Sequence, residues 1–162
     1  MSYDINVFAV PPGTSIEDAW EPIMEAEEAG EEPPPADPAV VEALRERGFA
    51  PVGGAGDSPI QLDDGLISVM LDGTQAYLNF PYWNTTDAER LADRVFGVLA
   101  LLHERAGWRA YDPQLDRELL PGDRAAFLGK FAEGVGIVEE IARGESPTAP
   151  PEPKRPWWRR LR

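Results

Sequence analysis

Most residues of this chain that could do chemistry are carboxylates, and their spacing limits what they can do. Tyr111-Asp112-Pro113-Gln114 sets an acid and an amide two positions apart around a proline. Either Asp112 and Gln114 line a pocket at a strand end, or Asp112 closes an Asx-type turn while Tyr111 packs on a sheet; the turn is the favoured reading. Asp63-Asp64, with Asp57, offers oxygen ligands to a divalent cation, but the spacing matches no calcium loop. A solvated, turn-forming acidic loop is expected there. His103 is the single histidine. A histidine-based triad needs a nucleophile and an orienting carboxylate around it, whereas a position in the last turn of a helix already suits imidazole through the dipole. Gly53-Gly54-Ala55-Gly56 lacks the Lys-Ser/Thr of a phosphate loop and does not lead into a helix. There is no cysteine, so thiolate chemistry and a disulfide framework are excluded. No catalytic residue, metal or cofactor is expected.

Charge says more than any motif. The formal net charge is −14, yet Lys154 to Arg162, KRPWWRRLR, carries five basic residues and no acid. Residues 1–153 therefore hold ten basic and 29 acidic residues, a net of −19. Such a body repels phosphate backbones and attracts basic partners, so no nucleic acid is expected. Glu25, Glu27, Glu28, Glu31 and Glu32 form a charged run, either a solvated face or a docking patch for a basic protein. Asp57, Asp63 and Asp64 extend the same expectation. The tail sets Trp157 and Trp158 beside Arg159, Arg160 and Arg162. That composition suits an anionic membrane surface, a motif docked in a partner's groove, or a segment folded back on the acidic body. A single short basic segment binds membranes only marginally. No apolar run approaches the roughly 18 residues of a span, and the start lacks the pattern of a signal peptide. A cytoplasmic protein is expected, with the inner face of the membrane as the alternative. Lysine occurs only at 130 and 154; the arginine bias, with abundant Ala, Gly and Pro, suggests a GC-rich bacterial genome.

Positioning these groups falls to elements written most clearly between 66 and 114. Asp72-Gly73 between two apolar runs predicts a hairpin with a two-residue type I′ turn, pairing Leu71 with Thr74 and Val69 with Ala76. Ile67, Val69, Leu71, Ala76, Leu78 and Phe80 then share one face. Leu66, Ser68, Met70, Gln75, Tyr77 and Asn79 share the other. Thr86-Asp87-Ala88-Glu89 reads as a capping box, and Leu91, Val95, Val98 and Leu102 give the helix its apolar stripe. Gly107 ends that helix, and a strand follows over 108–111. Ser2 to Val10 is a first strand. A helix capped by Thr14 or Ser15 then runs to about Ala29, with Pro22 kinking or splitting it. Asp37-Pro38 opens a short helix ending at Gly48, and 51–65 is loop with one short edge strand at Ile60 to Leu62. Leu115 to Leu120 extends the last strand. Asp123 caps a final helix carrying Phe127, Phe131, Val135, Val138 and Ile141, weakened by Gly129, Gly134 and Gly136.

The 162 residues, 43% hydrophobic, suffice for one real core. The element order predicts an α+β, ferredoxin-like βαββαβ sandwich: a four-stranded antiparallel sheet with both crossover helices on one face. The 37–48 helix is an insertion and the C-terminal helix an addition. The domain occupies 1–144, a proline-rich linker 145–156 and the basic tail 157–162. Met70, Tyr77, Asn79 and Tyr111, with Phe8, fall on the open sheet face. Aromatics on such a face stack bases in RNA-binding domains, but the acidic body favours a protein surface, a homodimer contact or a small apolar ligand, or coverage by the C-terminal helix. The opening MSYDINVFAV, the hairpin, TTDAERLADRV and WRAYDPQ resemble a group of small actinobacterial proteins that start on an MSYDL-type strand and close on a Tyr-Asp-Pro-Gln turn. The likeness covers about residues 1–120 and implies an interaction role and no catalytic residue. The 123–143 helix and the Trp-Arg tail depart from it.

The expected protein is thus a non-enzymatic interaction domain, immunity-type or regulatory, docking a basic partner. The alternatives are a membrane adaptor tethered by its tail and a small-molecule-binding domain on the open sheet face.

Overall fold

The structure, a computed structural model, describes residues 1–30, 32–53, 59–83 and 87–144, the side chain of Glu27 excepted. Strict alternation in Ser2–Phe8 makes β1, whose Tyr3, Ile5 and Val7 are buried on one face. It lies between β5 (Gln75–Pro81) and β6 (Arg109–Asp112), antiparallel to both. Around it the strands β2 (Ala50–Val52), β3 (Ile60–Asp63), β4 (Ser68–Leu71) and β7 (Arg117–Glu118) complete a seven-stranded sheet in the order β2-β3-β4-β5-β1-β6-β7. The fold is α+β, but the sheet is not the four-stranded ferredoxin-like one expected. Two differences account for this. Ile60 to Asp63 is an interior strand, because Ala50 to Val52 pairs along it and takes the edge. Leu115 to Leu120 does not prolong β6; the chain turns at Pro113 to Asp116 and returns as β7, with Asp116 in the left-handed region at φ 54°.

The hairpin forms, with a register two residues away from the expected one. Leu71 faces Ala76 and Val69 faces Leu78. Asp72 closes the turn: its carboxylate accepts from the amides of Thr74 and Gln75 and from the Thr74 hydroxyl, and its own amide donates to the Gln75 carbonyl. This Asx arrangement displaces the type I′ turn. Gly73 serves another purpose. Its amide donates to the Pro34 carbonyl at 2.8 Å, and a Cβ there would meet the Pro35 carbonyl oxygen at 2.7 Å. A shift of two preserves the pleat, so the expected apolar face survives, and all six of its residues are buried.

Three helices cover that face. Asp37 caps α2 (Pro38–Glu46) through the Ala39 amide. The cap of α3 (Ala88–Ala106) is Asp87, accepting from the Arg90 amide at 2.9 Å; this supplants the Thr86 capping box, and Thr86 itself lies outside the described residues. Gly107 closes α3 in the left-handed region, as its position suggests. The last helix, α4 (Arg124–Ala142), follows a single 3-10 turn, Pro121–Asp123. Asp123 stands at the N-cap position of α4, as expected, but its side chain makes no capping bond; the carboxylate accepts from the Leu120 amide and pairs with Arg117. Phe127 and Phe131 pack on Tyr3 and Phe80 in the apolar core, so α4 does not cover the open face. The 37–48 helix is no insertion in spatial terms, since it packs beside α3 over the core.

α1 (Ile16–Glu28) stands apart. Ser15 caps it through the Asp18 amide, and it runs on through Pro22 without splitting. Pro22 and Asp18 are both exposed, so water can satisfy the Asp18 carbonyl that proline leaves without a donor. α1 packs against Phe8, with Ile16, Ala19, Trp20, Ile23 and Tyr111 around it. Phe8 lies on the opposite side of β1 from Tyr3, Ile5 and Val7. The expected pair of crossover helices on one face is therefore replaced by α2 and α3 on one side and α1 on the other.

Among the α4 glycines, Gly134 lies so close to the Tyr82 ring that a Cβ would stand 2.0 Å from a ring carbon, while Gly129 faces open space. Gly134→Ala should therefore lose about 1–3 kcal/mol to overpacking, and Gly129→Ala should gain about 0.5–1 kcal/mol from helix propensity. Urea unfolding of the two variants tests both signs.

Candidate functional site

The YDPQ segment is structural. Asp112 is buried, with Oδ1 accepting from the amides of Gln114 at 2.9 Å and Leu115 at 3.1 Å, and Oδ2 from the Tyr3 hydroxyl at 2.7 Å. The Gln114 side chain, oriented so that its nitrogen faces acceptors, donates to the Asp4 carbonyl at 2.8 Å and to Asp112 Oδ1 at 3.0 Å. Asp112 and Gln114 bind each other rather than line a pocket. Burial pushes the Asp112 carboxyl above its ordinary range, against the pull of these hydrogen bonds. Burial and the Asp112 charge push the Tyr3 hydroxyl upward as well.

The acidic loop divides. Asp63 accepts from the Gly65 amide at 2.6 Å. Asp64 is no solvated docking residue: Oδ1 accepts from the amides of Leu66 and Ile67, both at 2.9 Å, and Oδ2 pairs with Arg94 while its side chain is 5% exposed. Arg94 also donates to the Arg47 carbonyl and lies over the Phe49 ring at 4.9 Å, tying this loop to α2 and α3. Asp57 lies outside the described residues. No group of three or more His, Cys, Asp or Glu could hold a metal ion among the described residues. His103 is exposed on α3, with Nδ1 3.1 Å from the Trp108 carbonyl.

On the second sheet face, Met70 lies directly across from Tyr77, with Asn79 two residues along the same strand. Asp4 accepts from Asn79 Nδ2 at 2.6 Å, from Ser2 Oγ at 3.1 Å and from the Tyr77 hydroxyl, and Gln61 donates to Ser68 at 2.9 Å. Burial, then the bond to Asp4, pushes the Tyr77 hydroxyl up to about 12. These groups satisfy one another across strands, and Met70, 40% exposed, is the large apolar residue left among them. Tyr111 belongs elsewhere on this face, under α1 with its hydroxyl donating to Asp116 at 2.8 Å.

What the fold gathers at the surface is the charge of α1. Its thirteen residues include Glu17, Asp18, Glu21, Glu25, Glu27 and Glu28 and no base. The helix buries Ile16 and Ala19 against Phe8, which turns Asp18, Glu21, Glu25 and Glu28 outward. Glu17 is half-buried and close enough to raise the pKa of Arg109. Elsewhere several carboxylates are matched within the domain: Glu118 with Arg109, Asp123 with Arg117, Glu89 and Asp93 with Arg124, Glu133 with Lys130 and Glu42 with Arg45. Beside α1 opens an apolar groove of about 390 Å³, lined by Ala9, Pro11, Asp18, Ala19, Pro22 and Ile23 and closed by Gly73 and Thr74 of the hairpin turn. Sequence reasoning singled out the Glu25 to Glu32 run and missed the groove and Asp18 and Glu21 beside it. The helical spacing of Asp18, Glu21 and Glu25 was the available signal. Glu31 and the tail residues Trp157, Trp158, Arg159, Arg160 and Arg162 lie outside the described residues, and no described helix is long and apolar enough to cross a membrane.

Comparison with protein families, curated proteins and solved structures finds no match to this chain.

The Asp112 proton is held more tightly in the folded than in the unfolded chain. Its contribution to stability is therefore full below the ordinary carboxylate pKa of about 3.9 and is lost as pH rises through the raised folded value. Asp112→Asn does not titrate there, so its stability relative to the wild type should climb with pH across that window. Denaturant unfolding of both proteins at a series of pH values measures this difference, in which their shared titrations cancel. Tyr3→Phe, which leaves a buried acceptor without its hydroxyl donor, should cost about 1–3 kcal/mol.

Proposed function

We propose that this chain is a non-enzymatic interaction protein whose α1 face docks a basic protein partner, as an immunity-type or regulatory protein would. The carrying observation is the separation of charge: α1 holds six acids and no base, while Arg94, Arg109, Arg117 and Arg124 pair with carboxylates on other elements. Closely spaced like charges at the surface steer an oppositely charged partner during encounter and disfavour acidic competitors. The mechanism is then occlusion: a helix held on the sheet by Phe8 and Trp20 presents its carboxylates as a unit and covers the basic surface of the partner. The polar layer around Asp4, with its donors and acceptors already joined across strands, favours α1 over the open sheet face as the docking surface.

The test is affinity capture from the native cell with the wild-type chain and with an Asp18→Asn, Glu21→Gln, Glu25→Gln triple variant. A basic protein should be retained at low salt and lost as salt rises, and the triple variant should recover roughly tenfold less of it. Equal recovery by the two proteins, or retention indifferent to salt, would overturn the charge-docking reading.

A further inference from the structure

The α1 groove and the extreme C-terminal sequence have complementary chemistry. The groove walls are alkyl and proline surface from Ala9, Pro11, Ala19, Pro22 and Ile23, with Asp18 among the lining residues. Glu21 and Glu25, three and seven residues on, lie exposed along the same helix. An occupant suited to this site carries a large apolar side chain flanked by positive charges. Burying it would remove apolar surface from water on both sides, and the flanking charges would meet the helix carboxylates. Lys154 to Arg162, KRPWWRRLR, has that composition: two adjacent tryptophans and five basic residues, with no acid. The other 153 residues carry a net charge of −19, so this segment is the one stretch of the chain that the whole body attracts.

Length permits the contact. Twelve residues lie between Gly144 and Trp157, five of them proline, and at about 3.1 Å per extended residue the span reaches about 40 Å. A domain of this size has a radius of gyration of about 15 Å, so the far side is within range. Tethering also raises the local concentration of the segment toward the millimolar range, so modest affinity suffices for occupancy.

We propose that the α1 groove is the docking site of the chain's own Lys154–Arg162 segment, seated by Trp157 and Trp158. The inference rests on α1 being the docking face, and it adds regulation: the segment and a basic partner compete for the same carboxylates. The partner must then displace the segment or bind when it has left.

Because lysine occurs only at 130 and 154, carbodiimide coupling of lysine amines to carboxylates reports the segment's position in the intact, full-length protein. Lys130 lies 2.7 Å from Glu133 and supplies the internal control. Peptide mapping should find Lys154 joined to Asp18, Glu21 or Glu25 within one chain. The Trp157→Ala, Trp158→Ala double variant, which keeps every charge, should give a several-fold lower yield. Lys154 products spread over the carboxylates of the body, products joining two chains, or their absence while Lys130–Glu133 is recovered would each overturn the proposal. So would an undiminished yield from the double variant. Coupling reads the place of Lys154 with no partner present, so its failure leaves the capture result standing, and a failed capture leaves the coupling pattern to be judged alone.

Discussion

A buried hydrogen bond from the Tyr3 hydroxyl to Asp112 ties the β6–β7 turn to the aromatic core. A carboxylate at a fully buried position is costly unless donors surround it. Here the donors are the amides of Gln114 and Leu115, the Gln114 side chain and Tyr3. The same Tyr3 ring stacks on Phe80 at 5.3 Å and meets Phe127 and Phe131 at 5.1 and 6.1 Å. One side chain on β1 therefore holds the β6–β7 turn with its polar end and seats α4 with its ring. The close approach of Gly134 to Tyr82 continues that packing along the helix.

The two faces of the sheet divide the labour. One is occupied by α2, α3 and α4 and supplies nearly all the buried apolar surface. The other is a cross-strand polar layer, with α1 over Phe8 and Tyr111. Because α1 contributes few residues to the core, its outward positions are free to be acidic. Ion pairs among the other helices and edge strands match several of their charges locally, whereas α1 presents six acids with no base among them.

Much of the local structure was legible. Asp37-Pro38 and Gly107 mark helix ends by chemistry that needs no tertiary partner, and the alternation of the hairpin assigned its faces correctly even though its register moved by two. The turn type was not legible. Asp72 and Gly73 fit a type I′ turn in isolation, and the Pro34-Pro35 backbone passing over Gly73 is a contact from a distant segment. Asp87 superseding Thr86 as the cap shows the limit of adjacent candidates with similar chemistry. In the candidate site, the acidic run was visible and the groove was not, because a hairpin turn far away in sequence closes it against α1 and the connection that precedes α1. Asp64, read as a solvated acid, is tied up by Arg94, thirty residues away.

By itself the sequence determined the spacing of apolar residues, the helix caps at Asp37 and Gly107, the excess of acid and the basic tail, all of which depend on composition or on neighbours within a turn or a strand pair. Only the tertiary structure decided the strand count, the side of the sheet each helix took and the fate of each carboxylate. Those outcomes depend on which surface buries more apolar area and which charge finds a partner. Phe8 illustrates the difference: alternation put it on the polar face of β1, and its burial there placed α1 over that face.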